Sequence, residues 1–553
     1  MEKRHRDRQD DNDSGWLSGG YQTRQRNQHS PPPAIVSDPP TPILNSQFSI
    51  FNFIIFSRTL PQFQKIKMRF PMKFSTATTF KFAILLTVFF LMMIPDGRSQ
   101  EAPTSYSFGL SYSGGSSDLP FWLYANRDAK FQRGSSNNGL AEFGLQHRLL
   151  DDDTWKINLG SDLAARLSDE TNTLHFQQLF LEVNLGVFQL KTGKFYDAVG
   201  LNEHDLSVGS MMVSRNTTPI PRIRFSTPDF VEVPGAKGYV EFKARFSEGL
   251  LEENRAISNA KLHQKHLYLK INPTEELSLF GGIVHNVMWG GERSDGRSSV
   301  NSFNDYLRAI FGSKREGGPT PPGNTVAAYD FATEYRFNDF SLKAYRLFYL
   351  EDLVSTRFRS PWDGMWGLSF KLNDRSKLLH SLLYEHVNTK QQDARGIQPP
   401  GRARYYWHFF YTDGWTFNNN VLGLPLVTFD ENGNLENNIF IAHHLGFEGA
   451  LSTNLNYKMM ATYSRNYGTC LDILPDFSDL RECPIDQDAN LDEITIVPLG
   501  ELREDQYSVM LTGDYRLPSV PNLTLNLSVA FDIGEFYNNR SGVMAGVRLD
   551  GIF

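Results

Sequence analysis

At 553 residues the chain is long enough for several soluble domains or one large barrel, and it is 13% aromatic with 43 glycines yet has a negative mean hydropathy of −0.38. Its formal charge of −7 is unevenly spread: basic residues concentrate in the first 99 positions and the remainder is acidic. That acidity argues against nucleic acid, whose phosphates require a basic patch, whereas strands with one face toward a polar lumen give this composition.

Residues 1–67 are polar, basic and Pro-rich in places, as at Pro31, Pro32 and Pro33. They read as a disordered extension or as upstream sequence translated from a misplaced start. Met68 or Met72 then opens a short basic stretch with Arg69, Lys73 and Lys81, followed by the apolar run Phe82 to Ile94 and by Gly97 and Ser99 just before Gln100. The apolar run is shorter than the roughly 20 residues a spanning helix needs and suits the core of a secretory signal over 68–99. Residues 100–553 are then the mature, exported chain.

Beyond Gln100, period-two alternation predicts strands near 106–112, 140–150, 155–165, 174–184, 187–195, 220–227, 237–246, 264–272, 277–287, 328–337, 340–350, 365–372, 377–388, 439–448, 454–464, 506–517, 522–533 and 542–553. The segment at 220–227 is the weakest, because Pro221 and Pro228 suit a strand end but not its middle. The last two runs are clearest. Leu523, Leu525, Leu527, Val529, Phe531 and Ile533 share one face against Thr524, Asn526, Ser528 and Asp532, and Val543 to Phe553 repeats the pattern. Such runs exceed the usual strand of about 5 to 6 residues and match the roughly 9 to 11 of a tilted transmembrane strand. Turns near Phe337 to Phe340, Asn373 to Ser376 and Pro518 to Pro521 are tight, while long loops follow the strands at 377–388 and 454–464. Short connections on one side and long ones on the other are the mark of a transmembrane antiparallel β-barrel of about 18 strands, with short turns periplasmic and long loops extracellular. The aromatic C-terminus Phe553 is then, by analogy with outer-membrane barrels, a signal for the barrel assembly machinery.

Cys470 and Cys483 lie together in one long loop, and in an exported chain they read either as a disulfide or as two free thiols. They form no zinc site, which would need four ligands. Asn202, Glu203, His204 and Asp205 set two carboxylates beside an imidazole, but adjacent strand residues face opposite ways, so these converge only in a loop. His263 with His266, and His443 with His444, lack the spacing of a metal or catalytic motif as well, and all read as polar lumen or rim residues. No GxSxG elbow is present. The chain therefore predicts no enzyme, no cofactor and no metal.

The long loops carry aromatic rings among polar groups. Arg404, Tyr405, Tyr406, Trp407, Asp413 and Trp415 crowd one loop, Trp289 and Arg293 another, and Trp362, Asp363 and Trp366 a third. Flat rings can pack on the apolar face of a pyranose while amides, carboxylates and guanidinium groups take its hydroxyls. The same rings could instead form the interfacial girdle or pack the loops together.

Several stretches resemble the capsule assembly Wzi family as found in Bacteroidetes: PFWLYAN at Pro120 to Asn126, GKFYDAVGLNEHDLSVGSMMVS at Gly193 to Ser214, TPIP at Thr218 to Pro221, FSEGLLEENRAISNAKLHQKHLYLKI from Phe246, GGIVHNVMWGG from Gly281 and SFNDYLRAIFG from Ser302. The resemblance spans nearly all of residues 104–553. It implies an 18-stranded outer-membrane barrel acting as a lectin that holds or assembles capsular polysaccharide at the cell surface, with outer-membrane lipids around it. It also implies a lumen occluded by loops and short helical elements, with Leu201 to Met212 and Phe303 to Phe311 read as helices, and it offers no catalytic residues. A diffusive porin or exporter is the alternative, since an 18-stranded lumen is wide enough for one; an outer-membrane hydrolase ranks below it.

Overall fold

The computed structural model describes residues 104–298, 300, 302–315, 321–351, 360–392, 401, 403–483 and 493–552. The segments at 1–67 and 68–99, Gln100 and Phe553 lie outside these. Period-two alternation becomes a single antiparallel sheet that closes on itself. Its staves are β1 (Thr104–Gly115), β2 (Asn137–Asp151), β3 (Trp155–Ser168), β4 (Thr173–Leu185), β5 (Phe188–Lys194), β6 (Pro221–Ser226), β7 (Val240–Leu250), β8 (Lys261–Ile271), β9 (Leu277–Trp289), β10 (Asn324–Arg336), β11 (Phe340–Glu351), β12 (Gly364–Leu372), β13 (Ser381–Asn388), β14 (Phe440–Ser452), β15 (Leu455–Asn466), β16 (Glu504–Arg516), β17 (Leu523–Gly534) and β18 (Arg540–Ile552). Each pairs with its sequence neighbours, and β1 pairs with β18 from Ser105 opposite Ile552 to Gly115 opposite Gly542. Closure leaves no sheet edge to be satisfied in lipid.

The predicted staves correspond one to one with these. The doubt over the sixth has a physical basis: after Ser226 the stave breaks at the bulge around Pro228, which has no N–H to give, and resumes only at Val231–Glu232 opposite β7. The extracellular connections are less uniformly long than the pattern suggested. Residues 169–172 and 535–539 are short links on the outer side, whereas 195–220, 290–323 and 389–439 are long.

Alternation sorts the side chains. On β17 Leu527, Phe531 and Ile533 are exposed to the outside while Ser528, Ala530 and Asp532 are buried in the lumen. Leu267 on β8 faces lipid opposite Ile283 on β9, as does Phe331 on β10. Rings gather near the periplasmic turns: Phe337 stacks on Phe340 with centroids 4.3 Å apart, and Phe188 on Phe225 at 5.6 Å. Such girdles mark the interface levels.

The inner face holds a recurring device. Tyr268 on β8 lies over Gly282 directly across on β9, and Tyr345 on β11 over Gly367 on β12; a Cβ at either glycine would overlap the ring. The lack of a side chain lets each ring lie flat along the wall and carry its hydroxyl to a carboxylate on the next stave, Asp330 on β10 and Glu385 on β13.

Besides short two- and three-residue ladders in the loops and a 3-10 turn at Leu480–Glu482, the described residues form three short α-helices: α1 (Phe121–Tyr124), α2 (Phe303–Phe311) and α3 (Cys470–Ile473). Segment 201–212, expected to be helical, is instead a series of turns. A single turn closes on the Glu203 carbonyl, which takes the Leu206 and Ser207 N–H groups, but the Val208 N–H goes to Glu385 on the wall and those of Gly209 and Met212 to the Ser207 and Ser210 hydroxyls, so no helical ladder continues. Cys470 and Cys483 are joined by a disulfide with Cα atoms 6.1 Å apart. Closing a loop of this size stabilises the chain by about 3 kcal/mol on the chain-entropy account, and Ile473 and Leu474 beside it pack with Ile439 and Tyr467.

The sorting of faces makes a direct test possible. Ile283→Arg puts a charge in the lipid-facing belt and is expected to lower folding stability by about 2–4 kcal/mol. Glu431→Arg, on an exposed loop, is expected to stay within about 0.5 kcal/mol. Urea titration of folding into vesicles measures both; equal effects would place Ile283 away from lipid.

Candidate functional site

Two of the long loops fold inward into the lumen, while the described part of 290–323 carries α2 on the outside of the wall. Residues 195–220, between β5 and β6, cross the interior and bury Val199, Leu206, Val208, Met211, Met212 and Val213. They are held by the wall: Asp330 accepts the Leu201 N–H at 2.8 Å, and Glu385 accepts the Val208 N–H at 2.7 Å and the Ser207 hydroxyl at 2.7 Å. The His444 Nε2 lies 2.7 Å from the Leu206 carbonyl. The first loop enters beside them. Asp532 takes the Phe121 N–H of α1 at 2.8 Å, Phe121 stacks on Tyr537 at 5.8 Å, and the Asn126 amide donates to the Val208 carbonyl at 2.8 Å. α1 thus enters the lumen, whereas of the two segments expected to occlude it as helices, 201–212 crosses it as turns and Phe303–Phe311 is a helix on the outside of the wall.

The described residues of the loop 389–439, between β13 and β14, lie over this layer. Tyr406 donates its hydroxyl to the Met211 carbonyl at 2.6 Å, Trp415 its Nε1–H to the Met212 carbonyl at 3.0 Å, and Tyr411 its hydroxyl to the Gly290 carbonyl at 3.0 Å. The Tyr406 backbone N–H reaches Glu351 at 3.2 Å. Tyr406 has φ 68°, a conformation a bulky residue adopts only when its surroundings impose it, and these two bonds do so. Asp363 accepts the Gln392 and Gln391 N–H groups and the Tyr405 hydroxyl at 2.7, 3.1 and 3.0 Å. Burial, only partly offset by those donors, pushes its carboxyl up to about 6. Burial, reinforced by Arg404, pushes His408 down to about 3, so that imidazole stays neutral at physiological pH.

Below the plug the lumen widens into polar cavities on the periplasmic side. One of about 440 Å³ is bounded by Arg127, Asp128, His204, Lys458, Asp514 and Arg548, and another of about 460 Å³ by Arg148, Gln178, Glu182 and Lys191. The cluster at 202–205 belongs to this boundary: Glu203 pairs with Lys343 at 3.4 Å and with Lys371, and the Asp205 carbonyl accepts from Lys458 at 3.3 Å. Among the described residues no group of three or more His, Cys, Asp or Glu is arranged to hold a metal ion.

A closed 18-stave barrel with a loop-filled lumen narrows the families that fit, and one profile decides among them: the family described as capsule assembly protein Wzi matches residues 113–548. The chain belongs to this family. It is an outer-membrane barrel. Among solved structures it is similar to Escherichia coli Wzi, described as an outer membrane protein involved in group 1 capsule assembly and a carbohydrate-binding β-barrel, with 13% identity, 80% of this chain and 84% of that chain covered and a TM-score of 0.49. It is also similar to Pseudomonas aeruginosa OccD3 (10% identity, 83% and 93% covered, TM-score 0.43) and OccK5 (9%, 82% and 98%, 0.44). None of the curated proteins matches.

Within this Wzi-family barrel the aromatic residues singled out in the sequence divide by position. Tyr405, Tyr406 and Trp415 are 0% exposed and Trp407 only 7%, the last with the Arg404 guanidinium 4.9 Å from its ring. Tyr406 and Trp415 join this loop to 195–220 and Tyr405 is tied to Asp363, so with all four rings buried no pyranose reaches them in this conformation. Arg404 itself donates to the Leu480 carbonyl at 3.0 Å. Trp289 lies outside the barrel wall, its Nε1–H donating to Glu248 at 3.1 Å. Trp366 is likewise on the lipid side, 4.4 Å from the Arg346 guanidinium. Arg293 and Asp413 do come together at the extracellular rim: Asp413 accepts the Ala256 N–H at 2.9 Å, and the next residue, Ile257, pairs with Arg293 in a two-residue ladder. Phe409, between Trp407 and Asp413 on the same loop, is more than half exposed.

Removing the carboxylates that hold the plug tests this construction. Each buried N–H left without its acceptor costs about 1–3 kcal/mol, so Asp330→Ala combined with Glu385→Ala is expected to turn a barrel that conducts little in planar bilayers into one with frequent open events. Conductance identical to the native protein would show that the loops are held by other means.

Proposed function

We propose that this Wzi-family barrel is a non-catalytic surface lectin that binds capsular polysaccharide on the extracellular face of its sealed lumen and holds the polymer at the cell. The observation that carries the reading is the plug. A lumen filled by its own outer loops offers a surface rather than a passage, and family membership supplies the class of polymer. The binding surface is the rim where Phe409, Arg293 and Asp413 lie exposed or half-exposed, with Asn418 and Asn420 on the same loop. An exposed ring gives a platform for the apolar face of a sugar, while the amides, guanidinium and carboxylate accept and donate to its hydroxyls. The buried rings at 405, 406, 407 and 415 serve the site by fixing the loop that carries Phe409 and Asp413.

The outer-membrane lipids surround the apolar belt, and the barrel assembly machinery reads the final strand through Phe553. Phe553→Asp is expected to lower outer-membrane levels without changing the affinity of the protein that does insert; undiminished levels would remove that role.

Sugar binding is tested with purified, folded protein and capsular polymer from the native organism. Phe409→Ala with Asp413→Ala is expected to weaken binding on the order of tenfold or more, since a loss of 1.4 kcal/mol is already tenfold, with the barrel intact by heat-modifiable gel mobility. Retained native affinity in that variant would move the site away from the rim. Release of shortened polymer on incubation would make the protein a hydrolase instead.

A further inference from the structure

The exterior of β7, β8 and β9 departs from the rest of the wall. Toward the periplasm the outward positions are apolar, with Phe242 and Phe246 on β7, Leu267 and Leu269 on β8 and Ile283 on β9. Higher up, before Leu250 and Trp289 at the outer ends of β7 and β9, polar groups interrupt these faces, with Glu248 opposite His263 and Lys265 opposite His285. Bare, these groups would lie where a barrel wall meets the outer leaflet, and ionisable side chains on a lipid face are costly.

Helix α2 covers them from outside. Its Tyr306 hydroxyl donates to Glu248 at 2.7 Å, beside the bonds Glu248 takes from Trp289 and shares with His263 at 2.7 Å. Lys265 donates to the Ile310 carbonyl at the helix end, its ammonium 5.0 Å from the Phe311 ring. His263 is fully buried beneath, and Ala309 and Ile310 are buried too. The helix has local reasons to form where it does: Ser302 accepts the Asp305 N–H at 3.1 Å as N-cap, and Gly312 ends it at φ 64°.

Docking uses only part of its apolar surface. Phe303, Leu307 and Phe311 recur every four residues and therefore share one stripe. Phe303 is 72% exposed and Phe311 71%, beside a half-covered Leu307. This stripe lies on the outside of the barrel, just above Leu267 and Ile283, whose lipid-facing belt it continues. Next to it around the helix are Asn304 and Arg308, and Lys314 follows, all polar.

We infer that α2 is an interfacial helix whose exposed stripe of Phe303, Leu307 and Phe311 inserts into the outer leaflet of the outer membrane, with Arg308 and Lys314 meeting anionic lipid headgroups. An amphipathic helix with aromatic residues on one face and basic residues at its polar edge lies in this way at the boundary of headgroups and acyl chains. The helix restores the apolar exterior of β7 to β9 where it is interrupted above Phe246, Leu267 and Ile283. This inference does not depend on the sugar-binding reading.

The test uses the full barrel in vesicles of phosphatidylcholine with phosphatidylglycerol. Because both native cysteines are paired, Phe311→Cys introduces a single free thiol, at a position exposed enough to tolerate it, for a nitroxide label. The label is expected to collide with oxygen, which concentrates in the bilayer, and to be shielded from a water-soluble nickel chelate, matching a label at Leu267→Cys and differing from one at Glu431→Cys. Phe303→Cys should report the same depth. Nickel accessibility equal to that of the Glu431 label overturns the inference. So does shielding from both reagents with spin–spin broadening between copies, which would make the stripe a protein contact. In the labelled protein, Arg308→Glu with Lys314→Glu should shift the label toward water in these anionic vesicles, and an unmoved label would remove the headgroup contact.

Discussion

Everything inside this barrel depends on how the backbone of its crossing loops is satisfied. A loop drawn into the lumen leaves water and takes unpaired N–H groups with it, each a cost unless an acceptor waits. The wall supplies acceptors as carboxylates: Asp330 to Leu201, Glu385 to Val208, Glu351 to Tyr406, Asp532 to Phe121 and, at the rim, Asp363 to Gln391 and Gln392. All five are buried. A buried carboxylate is itself costly, and tyrosine hydroxyls help to satisfy four of them: Tyr268, Tyr345, Tyr349 and Tyr405 donate to Asp330, Glu385, Glu351 and Asp363. Two of those tyrosines reach their partner because a glycine stands across the ladder. Small residue, flat ring, hydroxyl, carboxylate and loop backbone thus form one chain of dependence from the wall to the plug.

The outer layer follows from the inner one. With residues 195–220 fixed, their carbonyls at Met211 and Met212 become the acceptors on which Tyr406 and Trp415 settle, and the described residues of the loop at 389–439 close over them. What is left facing outward is a rim of polar groups with an exposed ring, and what is left facing inward is a charged vestibule open toward the periplasm. On the proposed function, a carbohydrate meets such a molecule at its outer surface, which is the physical content of reading it as a lectin rather than a pore.

Much of the architecture was legible in the residues because barrel strands obey a local rule. Alternation at Leu523 to Ile533 states both the strand and its faces, and Pro228 announced the break in the sixth stave. Loop burial obeys no such rule. Tyr405 and Trp407 look alike to a reader of the sequence whether they meet a sugar or a neighbouring loop, and only the carboxylates and carbonyls brought from distant staves decide between the two. Segment 201–212 was misread as helix for a related reason: Glu385, more than a hundred residues away in sequence, takes the Val208 N–H, and the Ser207 and Ser210 hydroxyls take those of Gly209 and Met212, so only one turn forms. Phe303 to Phe311 was correctly read as a helix, since Ser302 and Gly312 cap it locally, but its place on the outside of the wall depends on Glu248, His263 and Lys265. Trp289 went with it, its lipid-side position fixed by strand register and not by its composition.

Capsule retention in cells bears most directly on the central claim. In a strain lacking this chain the polymer should still be made but be shed into the medium, and expression of the native protein should return it to the surface. Polymer held at the cell surface to the same extent with and without the protein would contradict the account.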